Sequence, residues 1–120
     1  MEMKISSFKM AEQIENYGFY GEVEIEFKIT EYYRELQMQV DWPFERWRAG
    51  ILFGATYFLE HSMQRIGLTL RVKNIEYHEV DTTNVIIAYL IYNALLKESD
   101  ITQRQTIKFD KELKSFVFPK

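Results

Sequence analysis

Twelve consecutive residues, Val85–Leu96, are apolar except for Asn93. Such a run is apolar on nearly every helical face, so it predicts a helix buried on both sides, or buried on one and meeting a partner on the other. It is too short to span a bilayer. The chain has 120 residues, a hydrophobic fraction of 47% and an aromatic fraction of 16%. That is enough for one domain with one packed core, and the remaining residues must supply the layers that cover this helix.

Those layers are legible as changes of period. In "EVEIEFKI" (Glu22–Ile29), Val23, Ile25, Phe27 and Ile29 alternate with Glu22, Glu24, Glu26 and Lys28. This predicts a strand with one buried and one charged face. "RELQMQVDW" (Arg34–Trp42) alternates as well, and the short "TEYY" between them predicts an antiparallel hairpin with an exposed Tyr32–Tyr33 turn. Pro43 then breaks the ladder and suits the first turn of a helix, with Asp41 as a candidate cap. From Phe44 to Ile66 the period is helical, with Trp47, Ile51, Ala55, Phe58, Leu59, Ser62, Met63 and Ile66 on one stripe and Gly67 as a candidate C-cap.

Gly50 and Gly54 lie one turn apart in that helix. Each costs roughly 1 kcal/mol against alanine, which close approach to a sheet or second helix would offset. "LTLRV" (Leu68–Val72) is a further strand, and Ile75 and Tyr77 continue it out of phase, which predicts a bulge near Lys73–Asn74. Gln105–Phe109 and Leu113–Phe118 are candidate strands around the turn-like "DKE", and Met3–Met10 is another at the start. The expectation is an α+β domain of β-β-α-β-α-β order, mainly antiparallel, with both helices on one face.

Charge and composition exclude several classes. Fifteen basic residues face eighteen acidic ones. Residues 1–50 carry six basic against ten acidic, and no segment forms the basic stripe that holds phosphates nonspecifically. With no cysteine there is neither a disulfide framework nor a thiolate metal site. "MEMKISSFKM" lacks an apolar leader region, so a cytoplasmic protein is expected.

Three motifs, "NYGFYGEVEIEF", "LEHSMQRIG" and "YHEVDTTNVIIAYLIYNALLKE", follow one another along the chain. In this order and spacing they resemble domain IV of translation elongation factor G over about residues 16–98. That domain has a Gly-x-Tyr-Gly strand start, matched by Tyr20–Gly21. Its Tyr-His-x-Val-Asp-Ser-Ser turn is matched by Tyr77, His78, Val80 and Asp81, with Thr82 and Thr83 replacing the serines. Ala94, Lys97 and Glu98 match its second helix. The resemblance implies the fold named after the second domain of ribosomal protein S5, with a left-handed β-α-β crossover, and a ribosomal or structured-RNA partner. His78 matches the tip histidine. The chain departs from the pattern at "DWPFERW", where the factor has a glycine-rich tip loop, and at Asn84, where it commonly has Glu. It has no GxxxxGK[ST] loop, so no nucleotide is expected.

The segments Trp42–Arg48 and Tyr77–Thr83 both lead from neighbouring strands into helices, so the fold should bring them to one end. His78, Glu79, Trp42, Arg46, Trp47 and Arg48 are the candidate macromolecule-binding residues, because aromatic rings and arginines can stack on bases or grip a protein. Asp81, Thr82 and Thr83 are read as the cap of the second helix. No nucleophile–base pair stands out, and His61 and His78 lack the further ligands a metal needs. A non-catalytic module without cofactor or metal is therefore expected. Its partner would be ribosome or structured RNA, or alternatively a protein or a second copy of the chain, and no membrane.

Overall fold

The structure, a computed structural model, describes residues 3–120. Its first strand, β1 (Lys4–Ile14), pairs antiparallel with β2 (Tyr17–Thr30) along its whole length. The alternation in β2 has the expected effect. Val23, Ile25 and Phe27 are fully buried, while Glu24 is exposed on the other face. β1 is longer than the Met3–Met10 candidate because polar residues continue it beyond its apolar part.

The next strand, β3, is only Leu36–Gln39, and it does not form a hairpin with β2. It runs parallel to β4 (Gly67–Glu76), which pairs antiparallel with β2, giving the order β1-β2-β4-β3. Both edges of β2 are thus taken by β1 and β4. The connector Glu31–Glu35 crosses the start of β4, with Arg34 in the left-handed region (φ 58°). Arg34 donates its amide to the Ile66 carbonyl at 2.7 Å, and the Leu68 amide donates to Glu35 at 2.8 Å. β4 bulges as expected: Glu24 opposes Asn74 and Ile25 opposes Val72, which leaves Lys73 as the extra residue.

Between β3 and β4, Trp42–Trp47 forms 3₁₀ turns that lead into α1 (Arg48–Glu60). Pro43 occupies the first turn, but the Asp41 side chain makes no capping bond. It meets Arg71 at 3.6 Å and Gln39 at 3.1 Å instead. α1 stops at Glu60 and not at Ile66, because other donors take its last carbonyls. The His61 ring stacks on Tyr57 at 3.8 Å, with Nδ1 3.0 Å from the Tyr57 carbonyl. The Gln103 side chain donates to the Phe58 carbonyl at 3.0 Å, and Arg104 donates to that of Glu60. Ile66 is still buried, but as the lead-in to β4; Met63 is exposed, and Gly67 is a strand residue and not a cap.

α2 (Asn84–Ser99) lies over β1 and β2 and along α1. Ile86, Ile87, Leu90, Ile91 and Leu95 are buried, so the all-round apolar run is explained by contact with two layers. The tail forms a separate antiparallel pair, β5 (Lys108–Asp110) and β6 (Ser115–Val117), shorter than the candidate strands. Phe109 and Phe116 of this pair pack on Phe19, with ring centroids at 4.9 and 6.2 Å. The fold is α+β: a mainly antiparallel four-stranded sheet with two helices. Among the described residues no helix is long and apolar enough to cross a membrane.

Candidate functional site at the strand-to-helix end

β3 and β4 run in the same direction, so both end at one edge of the molecule, and α1 and α2 both start there. The two connecting segments touch. The Trp47 ring meets Tyr77 edge-on at 5.3 Å. The Arg46 guanidinium stands 4.7 Å from the centre of each of those rings and forms a two-pronged pair with Glu79 at 3.0 and 3.4 Å. Hydrogen bonding to Arg46 lowers the Glu79 pKa, and the same contact raises that of Arg46. Arg48 pairs likewise with Glu45 at 2.6 and 2.9 Å, which lowers the Glu45 pKa. All four side chains are widely exposed to water, where such pairs add little stability. Their effect is to fix arginine orientation and cancel local charge.

The Tyr77–Thr83 turn is tied to β2. The Tyr20 amide donates to the Asp81 carbonyl at 3.0 Å. The buried Thr82 hydroxyl donates to the Tyr20 carbonyl at 2.7 Å and accepts from the His78 amide at 2.8 Å. His78 stacks on Tyr20 at 4.3 Å, with Nδ1 3.9 Å from Asp81. A Cβ on Gly18 would lie 2.6 Å from the Asp81 carboxylate, so the glycine at the start of Gly-x-Tyr-Gly makes room for the turn. Tyr20 of the strand start and Thr82 of the turn, 62 residues apart in sequence, therefore belong to one structural unit.

Of the three candidate cap residues only Thr83 caps α2, accepting from the Ile86 amide at 3.2 Å. Thr82 braces the turn, and Asp81 lies against Gly18 and His78. Trp47 is buried at 4% exposure and serves as core, so it is not part of a contact surface. Trp42 is 85% exposed and Val80 89%. Val80 stands out in sequence only as a match to the turn motif and is not among the candidate contact residues, since a lone valine in a charged loop gives no sign of exposure. Tyr20 stands out in sequence only as part of a motif, and its stacking on His78 appears only in three dimensions. Asn84 joins the two helix starts, its side chain accepting from the Gly50 amide at 3.0 Å.

Thr82→Val tests this description. It keeps shape but leaves the Tyr20 carbonyl and the His78 amide without their partner, so a loss of about 2 kcal/mol is expected in urea denaturation. An unchanged midpoint would show that the turn does not depend on this hydroxyl.

The surface so assembled offers stacking and apolar contact from His78, Trp42 and Val80, flanked by two charge-balanced arginine–glutamate pairs. Among the described residues no cluster of three or more histidine, aspartate or glutamate side chains is placed to hold a metal ion. No protein-family description matches the chain, and no curated protein matches it. A solved protein from Thermus thermophilus superposes with a TM-score of 0.61 at 19% identity. The match covers 78% of this chain and 15% of that one, so the chain spans a small part of the length of the protein it resembles. At that identity the likeness is one of fold, over most of this chain and within a far longer polypeptide.

Proposed function

We propose that the chain is a non-catalytic binding module of the elongation factor G domain IV type, which engages the ribosome or another structured RNA through its strand-to-helix end. The observation that carries this reading is the docking of the Tyr77–Thr83 turn onto Tyr20. It joins two of the three motifs of the resemblance into one braced tip, with His78 stacked and Trp42 projecting beside it. The α+β fold, found as a segment of a longer protein, supports the same reading.

A second reading is favoured by the ion pairs. Arg46 and Arg48 are each held by a carboxylate, so phosphate would have to displace Glu79 and Glu45. A protein surface would need no such exchange, and Trp42 and Val80 suit it as apolar anchors.

The test is sedimentation with ribosomes and titration with a fluorescent RNA hairpin at low and high salt, using the parent and Trp42→Ala/Arg46→Glu. The RNA reading expects binding that falls with salt and about tenfold weaker binding by the double variant, the size set by loss of one stacking and one charged contact. No binding at low salt, or binding indifferent to the substitutions, would remove the RNA reading in favour of the protein one.

A further inference from the structure

The arginines of this chain divide into two sets. Arg46, Arg48 and Arg71 each pair with a carboxylate. Among the described residues, Arg34, Arg65 and Arg104 form no ion pair, and all three lie at the opposite end of the molecule, where α1 finishes and β4 begins. Arg34 and Arg65 both face the Tyr33 ring, at 5.3 and 4.0 Å from its centre. Arg104 is fixed by its own amide, which donates to the His61 carbonyl at 2.8 Å, and by its guanidinium, which donates to the Glu60 carbonyl. A chain of net charge −3 thus gathers its unpaired guanidinium groups in one corner.

That corner closes one end of a groove of about 820 Å³ along the outer side of α1. Leu52, Phe53 and Tyr57 line its helix side, and the segment Phe118–Pro119 lines the other. The second wall is held in place: Phe118 meets Phe53 edge-on at 5.2 Å, and the Tyr57 hydroxyl donates to the Pro119 carbonyl. Leu52 and Phe53 are 46% and 50% exposed, although they are large and apolar. Arg34 and Arg104 both line the groove. Lys120 also lines it, Glu60 is the carboxylate side chain on its rim, and Arg104 reaches the Glu60 main chain, not its side chain. A helix C-terminus ordinarily repels anions, but here the carbonyls of Tyr57, Phe58, Leu59 and Glu60 already face donors, which reduces that repulsion.

We infer that this groove binds a small amphipathic organic acid, its aromatic or acyl body against Phe53, Tyr57 and Phe118 and its anionic head between Arg34 and Arg104. The volume lies within the range of small-molecule sites, and an apolar channel with a few charged groups at one end is their usual composition. Charge complementarity selects an anion, and the open apolar side chains select a body that water solvates poorly.

The site is independent of the tip and is tested without reference to RNA. The probes are 8-anilinonaphthalene-1-sulfonate and N-phenyl-1-naphthylamine, which share an aromatic body and differ in the anionic group. Saturable binding of one sulfonate per chain is expected, displaced by decanoate at a clearly lower concentration than by decanol. Arg34→Gln/Arg104→Gln should weaken the sulfonate about tenfold, as loss of charge-assisted hydrogen bonds does, and leave the neutral amine within about twofold. Phe53→Ser should weaken both probes. All three positions are exposed, so the variants should stay folded, with melting only slightly lowered by loss of the Arg104 bond to the Glu60 carbonyl and of the Phe53–Phe118 contact. The inference is overturned if the sulfonate fails to saturate, or if the arginine substitutions leave its affinity unchanged. It is overturned equally if light scattering finds a dimer that Phe53→Ser disperses, because the groove would then be filled by a second copy.

Discussion

Leu90→Asp is expected to leave the chain largely unfolded at room temperature. Leu90 sits midway along α2 with no exposure, and its Cδ1 lies over Gly21 of β2, only 2.8 Å from where a Cβ there would be. The substitution removes a leucine from a filled site, a loss of about 2–5 kcal/mol by itself. It also places a carboxylate where no cation can reach it, which adds several kcal/mol or forces the group to take up a proton. Domains of this size are stable by about 5–15 kcal/mol, so the sum consumes much or all of that margin. Val85→Asp is the control. Val85 belongs to the same apolar run but is 46% exposed and lies in the first turn, where a negative charge is favourable. It should stay within about 1 kcal/mol of the parent. Circular dichroism on heating separates the cases, and a Leu90→Asp protein melting within a degree or two of the parent would refute the placement of α2.

The contrast between those two residues shows what the sequence can and cannot express. Burial of α2 was legible because it is a property of one segment: no rotation of that helix hides a polar face. The alternation of β2 was legible for the same reason. The partner of β3 was not. Alternation of Leu36 and Met38 fixes which face is buried, but not which edge accepts the strand, and that choice depends on the connector crossing β4 through Arg34 and Glu35. The end of α1 was hidden in another way. Ile66 continues the helical stripe, yet it is buried as the lead-in to β4, while Gln103 and Arg104 take the Phe58 and Glu60 carbonyls that further turns would need. At the tip, topology sufficed to bring residues 42–48 and 77–83 together. The separate fates of Trp42 and Trp47 were not legible, since two tryptophans flanking a proline turn look alike until packing assigns one to water and one to the core. The pairing of Arg46 with Glu79 and the groove arginines, Arg34 and Arg104, join residues far apart in the chain and leave no local pattern.

The seam between the helices gives the other large effect. Gly54→Ala is expected to destabilise the protein by about 2–3 kcal/mol, although alanine is the better helix former by about 1 kcal/mol. A Cβ at Gly54 would stand 2.5 Å from the Ala88 carbonyl oxygen and 3.1 Å from the Ile91 Cβ. The first of these is main chain of α2 and cannot rotate away, so α1 must move outward. That motion loosens Ile51, Ala55 and Phe58, all fully buried beside the seam. A Cβ at Gly50 would meet the Asn84 carbonyl at the same 2.5 Å. Once one alanine has parted the helices, the second has less left to disturb, so the double variant should cost less than the sum of the two single ones. Ala49→Gly, on the exposed side of α1, isolates the propensity term and should lose about 1 kcal/mol without touching the seam. The consequence extends to the tip, because the Gly50 amide and the Asn84 side chain couple the two helix starts that carry Trp42 and the His78 turn. Gly54→Ala should therefore shift the NMR signals of the Trp42 indole and the His78 ring at a distance, while Ala49→Gly leaves them in place. A Gly54→Ala protein more stable than the parent would mean that α1 and α2 do not approach closely here, and the coupling of the tip through this seam would fall with it.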